Sequence, residues 1–307
     1  MESLKKQWFL IALGAVCILG LAFPTFALGF KPLVPWLVAL VMFLVGLGRP
    51  PRAFLAAVQK PQAIALTLFL SFGLMPVLAY LLASWVYADQ PVLIVGMMIL
   101  SAVPTTVASS VIWTRMSGGD DTLSVILVIA STVIGVLLLP FILELSVGRQ
   151  LAISSTALLL QLLKVVLLPL LAAQGVRALA GPMDSLERRF FSVGHGVILL
   201  LVLTAVGESA AILTLPLMIG MTASTAALNL LASACSYAGA SLLRFPRPER
   251  IAIMFAASQK TLTVGLLVGL MFFEGIAGLP VVVYHVVQQV SGYGLSRWFV
   301  REPSPEA

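Results

Sequence analysis

Charged side chains are scarce in this 307-residue chain: Asp, Glu, Lys and Arg make up 10% of it, against 60% hydrophobic residues. A soluble globular domain carries about 25% charged residues, so the balance excludes that class and marks a polytopic membrane protein. Histidine and cysteine are sparse too, at two each. Cys17 and Cys235 both fall in apolar runs, where a free cysteine behaves as a small hydrophobe, and they supply neither a metal-site spacing nor a disulfide framework. Acids are few at depth, since Glu144, Glu208 and Glu274 all lie near predicted helix ends. No nucleophile with an adjacent base, no phosphate loop and no metal-ligand spacing occurs, which argues against an enzyme and against a cofactor. The net charge of +6 does not point to nucleic acid, because the basic residues sit in short loops between apolar runs and form no patch. The segment 1–28 has basic Lys5 and Lys6 and a long apolar run but no small-residue cleavage pattern, so it is expected to stay as a membrane helix.

What the chain has in quantity is apolar runs. At about 20 apolar residues per span, they predict helices over Gln7–Leu28, Leu33–Leu47, Gln62–Val86, Pro91–Met116, Thr122–Val147, Ala152–Leu179, Phe190–Ala211, Leu213–Leu243, Glu249–Phe273 and Leu279–Val300, about ten in all. The eighth is long enough to need tilt or a kink near Pro216. This threading puts Lys5, Lys6, Arg49, Arg52, Lys60, Arg115, Arg177, Arg188, Arg189, Arg244, Arg247, Arg250, Arg297 and Arg301 on one side of the bilayer. Only Lys31 and Arg149 fall on the other. Basic residues accumulate on the cytoplasmic side, so both termini are expected there, in a plasma membrane such as a bacterial inner membrane.

Landmarks recur about half a chain apart: Pro91 with Pro248, a break at Pro104 with one at Lys260, and the helix start at Thr122 with that at Leu279. The fold expected is all-α, a single transporter unit of two inverted five-helix repeats covering about 1–150 and 151–301. Pro104 lacks a backbone donor and crowds the preceding turn, so the fourth span is expected to break there. The ninth is expected to break within Ala257-Ser258-Gln259-Lys260-Thr261-Leu262-Thr263. Such paired interruptions mark a secondary transporter's binding site. Run antiparallel, the two can cross, with second halves from near Val107 and Leu262 aiming their N-termini at mid-membrane, a setting favourable to an anion.

Around that place the sequence offers Thr105, Thr106, Ser109 and Ser110 from the fourth span and Gln259, Lys260, Thr261 and Thr263 from the ninth. Hydroxyls in membrane helices also back-bond to carbonyls or glue neighbouring helices, but these cluster at both breaks. A lysine at a helix centre costs about 2.5 to 3.5 kcal/mol, so Lys260 is read as functional, either holding an anion or loading and releasing a proton; the alternative is a structural lysine reaching a carbonyl. Lys164 is read as structural. His285, close to Gln288 and Gln289 in the last span, joins the candidates with Gln289, while His195 is read as a core residue.

The carrying motifs are Pro104-Thr105-Thr106-Val-Ala-Ser109-Ser110 with Gly118-Gly119-Asp120, Leu123-Ser124-Val125, Lys164 to Pro169, Ser258-Gln259-Lys260-Thr261-Leu262 and Ser291-Gly292. On them the chain resembles, over essentially its whole length, the bile acid:sodium symporter superfamily, and more closely its SBF-like, SLC10-type branch. The resemblance implies a panel of helices one, two, six and seven and a core of helices three to five and eight to ten, alternating access, small organic anions as substrates, and sodium bound behind the crossing. For that sodium it leaves Ser109, Ser110, Ser124 and Gln259. Ser110 stands where sodium-coupled members carry Asn, and Phe255, Val128 and Ser71 stand where they carry Glu, Thr and Gln; Lys260 stands where they tend to have Asn and places a tethered ammonium where the cation's charge would act. The coupling ion expected is therefore sodium or a proton. Arsenite permeases and auxin carriers share the architecture; Val103 stands where the former need cysteine, while the latter leave a proton-coupled exporter as an alternative. A non-transporting regulator or scaffold that keeps the fold is the reading from another class; a transporter should show a solvent-reachable polar cavity at Thr106, Gln259 and Lys260, whereas a scaffold could have it filled by side chains.

Overall fold

In lipid the backbone has to satisfy its own hydrogen bonds, so long apolar runs enter it as helices. In the computed structural model, which describes residues 2–48, 60–148, 154–181, 187–273 and 275–301, the described elements are helices and one isolated bridge. Arg49, Arg52, Arg149 and Glu274 of the sequence reading lie outside the described residues, as do the side chains of Lys5, Lys6 and Arg188.

The helices are α1 (Glu2–Ala22), α2 (Val34–Leu47), α3 (Pro61–Val86), α4 (Pro91–Ala102), α5 (Val107–Met116), α6 (Asp121–Val147), α7 (Ser155–Ala180), α8 (Glu187–Ser209), α9 (Leu215–Leu242), α10 (Arg247–Ser258), α11 (Leu262–Phe272) and α12 (Leu279–Arg301). A short helical piece, Pro24–Leu28, and a tight turn, Lys31–Leu33, lead into α2. By length and composition, six stretches among the described residues can cross a membrane: Pro24–Leu47, α3, α6, α7, Ser192–Ser209 of α8, and α9. Ile11–Ala22, α4 and α11 are shorter apolar helices. The shortfall from the expected spans has a local cause. The fourth and ninth are each divided into two helices of 10 to 12 residues, and α12 dilutes its apolar face with His285, Gln288, Gln289 and Ser291.

Proline sets several helix starts. Pro61, Pro91, Pro216 and Pro248 all lie in the first two positions of their helices, where a missing N–H breaks no bond. The kink expected near Pro216 is therefore replaced by a helix start, and α9 runs unbroken for 28 residues. Two wide π-type turns interrupt α3 at Leu70–Leu74 and α7 at Leu163–Leu167, and Lys164 is exposed on the second. Between α5 and α6 the chain turns through Gly118, whose φ of 71° suits glycine, and Asp120 caps α6 by accepting from the Leu123 N–H at 2.9 Å.

In the packing, α2 lies against α7 and α8, and α1 against α8; α9 lies against α10 and α12, α4 against α3 and α6, and α5 against α6 and α10; α7 also meets α6, and α11 meets α2 and α8. Ion pairs join helix ends: Lys60 to Glu249 at 2.8 Å, Arg115 to Asp121 at 2.6 Å and Lys31 to Glu208 at 2.6 Å.

Candidate functional site

Both interruptions are extended backbone. Val103 and Thr106 bound the first with ψ of 154° and 134°, and Gln259 and Thr261 bound the second with ψ of 117° and 127°. The two cross antiparallel, pairing Thr105 with Lys260. The Thr106 N–H donates to the Gln259 carbonyl at 3.1 Å and the Thr261 N–H to the Pro104 carbonyl at 2.9 Å. Each break thus supplies the partner that the other lost on leaving the helix.

Neighbouring side chains satisfy what the bridge does not. Ser131 of α6 accepts from the Thr105 N–H at 3.0 Å and lies 2.9 Å from its hydroxyl. Gln288 of α12 accepts from the Lys260 N–H at 2.8 Å and donates to the Lys260 carbonyl at 3.0 Å, while its amide nitrogen lies 3.1 Å from His285 Nδ1. The Ser258 carbonyl, at the end of α10, accepts from Tyr284 at 2.6 Å and Asn229 at 3.4 Å. The sequence reading names Gln288 only as a neighbour of His285 and does not reach Asn229. Gln289, which is among the sequence candidates, faces away from the crossing and accepts from the Trp113 indole at 3.2 Å.

Lys260 is fully buried. Its ammonium donates to the Ser71 carbonyl at 3.0 Å, the Ser71 hydroxyl at 2.7 Å and the Val103 carbonyl at 3.1 Å, and sits 4.9 Å from the centre of the Phe72 ring. It has no carboxylate partner among the described residues.

A cavity of about 140 Å³ lies on another side of the crossing. One wall comes from α2, α7 and α8, with Val41, Met42, Val45, Leu170, His195 and Ile198; the other from the crossing, α6 and α12, with Thr105, Thr106, Val128, Thr132, Thr261, Thr263 and His285. Thr106 and Thr261 are the N-cap residues of α5 and α11, and neither uses its side chain as a cap, so both half-helix N-termini open here. Thr261 and Thr263 share a hydroxyl contact of 3.1 Å. Ser109, Ser110, Gln259 and Lys260 do not line the cavity.

The four residues left for sodium are all buried. Ser109 Oγ and Gln259 Oε1 find no hydrogen-bond partner among the described residues, and Ser110 and Ser124 satisfy each other at 3.2 Å. Phe255 and Val128, both fully buried, add no oxygen. The side chains of this set supply four oxygens, two of them already paired with each other, fewer than the roughly six that a hard cation takes.

Paired broken helices that cross beside a two-walled cavity, in a chain of membrane-length helices, define a membrane transporter and not an enzyme. The chain belongs to the SBF-like CPA transporter family, whose pattern it matches over residues 7–300. It is 25% identical to the sodium/bile acid cotransporter 7 of Rattus norvegicus over 321 residues, covering 95% of this chain and 92% of the relative. It is 24% identical to cotransporter 7-B of Xenopus laevis over 324 residues, covering 95% and 91%. To YbaS of Bacillus subtilis, a protein whose name states no activity, it is 23% identical over 293 residues, covering 92% and 94%.

Proposed function

We propose that the chain is a secondary transporter that carries a small organic anion by alternating access. One observation carries the reading: the N-termini of α5 and α11 open through Thr106 and Thr261 into a cavity walled by α2, α7 and α8 on one side and by the crossing, α6 and α12 on the other. Unpaired N–H groups and the positive dipole ends attract an anion's charged group. The apolar wall of Val41, Met42, Val45 and Val128 suits an apolar body. Movement of the α1, α2, α7 and α8 panel against the remaining core would expose the cavity to each side in turn. A scaffold would have no use for this opening.

The architecture proposed with it is ten spans in two inverted repeats, both termini cytoplasmic, in a plasma membrane. The equivalent bonds Thr106 to Gln259 and Thr261 to Pro104, around the Thr105–Lys260 pair, support the repeat, and the one-sided distribution of Lys and Arg supports the orientation.

Sodium appears in the names of the vertebrate relatives. We propose that transport by this chain does not require it, because the residues retained do not fit the ion. His195 and His285 in the cavity wall keep proton coupling as the alternative to uniport or exchange. The test has two stages. A thermal-shift screen of organic anions identifies a ligand, which raises the unfolding temperature of the purified chain. Uptake of that ligand into proteoliposomes is then measured under imposed sodium or proton gradients. Saturable uptake indifferent to sodium is expected; strict dependence on sodium, insensitive to pH, would overturn the coupling reading, and no binding of any anion would overturn the substrate class.

A further inference from the structure

The surroundings of Lys260 describe a site in their own right. Three acceptors, the Ser71 carbonyl and hydroxyl and the Val103 carbonyl, meet the three N–H donors of an ammonium at 2.7 to 3.1 Å. The Phe72 ring, 4.9 Å away, presents the face that attracts a cation. Val103 follows the last residue of α4 in extended backbone, which frees its carbonyl from the helical ladder. Ser71 lies in the π-type turn Leu70–Leu74, and such turns release a carbonyl from the helical ladder. Oxygen dipoles and an aromatic face converge on one buried point with no carboxylate among the described residues, an arrangement that favours a cation.

We propose that Ser71, Val103 and Phe72 form a monovalent-cation site that Lys260 fills from within the chain, so that the site is not loaded from solution. The residues that build it lie on α3, on α4 and at the second break, all on the proposed core, so the site travels with the core. The inference rests on the lysine's contacts and needs no assumption about the solute carried.

The test removes the tether. The purified full chain and its Lys260→Ala variant are unfolded thermally in sodium, potassium, methylammonium or choline chloride at equal ionic strength. The variant is expected to unfold earlier than the parent in choline, and to regain several degrees, saturably, in at least one of the small cations. The parent should not distinguish among the salts. Lys260→Met, whose stem occupies the space, should lose stability without rescue. A Lys260→Ala variant equally stable in all four salts, or a parent with the same cation response, would overturn the proposal. Should Lys260→Ala be too unstable to purify, Ser71→Ala decides. It should lower the unfolding temperature of the parent and have a smaller effect in a Lys260→Met background; equal effects in both backgrounds would overturn it. These readouts involve no anion, so failure of the uptake assay would remove the transport reading and leave this one standing.

Discussion

Gln288 accepts from the Lys260 N–H and donates to the Lys260 carbonyl through a single amide, replacing helical partners that residue 260 gave up. Gln288→Leu should leave both groups buried and unpaired at about 1–3 kcal/mol each, visible as a large fall in unfolding temperature. Gln289→Leu removes only a partly exposed bond to Trp113 and should cost no more than about 1 kcal/mol. The sequence shows two adjacent glutamines, and a helix turns about 100° between neighbours. Which of them meets the break depends on how α12 is rotated against α10 and α11, and the pattern of residues on α12 does not encode that rotation. Thr106→Val should weaken uptake of an identified anion by about tenfold, the equivalent of one hydrogen bond, with little change in stability. At the exposed end of α3, the bond and the charge of Glu249 raise the Lys60 ammonium above the ordinary lysine range. A folded value above the unfolded one means that the pair's stabilisation is present below the unfolded value and disappears as pH rises through the folded one. The gap in unfolding temperature between parent and Lys60→Ala should therefore be constant through neutral pH and close only in strong alkali.

Interrupted helices were legible where the interruption has a chemical cost. Pro104 cannot continue a helix and Lys260 cannot rest in lipid, and the structure divides both spans at these residues. The π-type turn in α3 left no such trace, since Leu-Ser-Phe-Gly-Leu is acceptable helix sequence; its cause is the third dimension, where the Ser71 carbonyl faces the ammonium of Lys260. Hence Lys260 could be recognised as exceptional, while its bonding to α3 and α4 depended on a segment far away in sequence. Gly135 holds α6 against this place: a Cβ there would collide with the Phe72 ring and come within 3.1 Å of Pro104. Gly135→Ala should destabilise the chain by about 1–3 kcal/mol through overpacking. The loss should shrink when Phe72 is also shortened to Leu, as measured by a double-mutant cycle in unfolding temperature.

At the scale of the molecule, alternating access requires two bodies that slide without dissolving either. The cavity lies between them, and Ile198 projects into it from α8. Ile198→Trp should fill the space and stop uptake while leaving the unfolding temperature near that of the parent; uptake at the parental rate would remove the cavity from the pathway.

The crossing itself has a kinetic signature. The amides of Thr106 and Thr261 sit in extended segments beside an open cavity, where fast hydrogen–deuterium exchange would ordinarily be expected, yet each is locked to a carbonyl of the opposite break. To expose either, the core has to come apart, not merely move. Both should exchange with solvent as slowly as the centres of α4 and α10, on the timescale of global or subglobal opening, and a bound anion that leaves the crossing intact should slow neither further. Rapid exchange at one of them would mean that the crossing opens in every cycle.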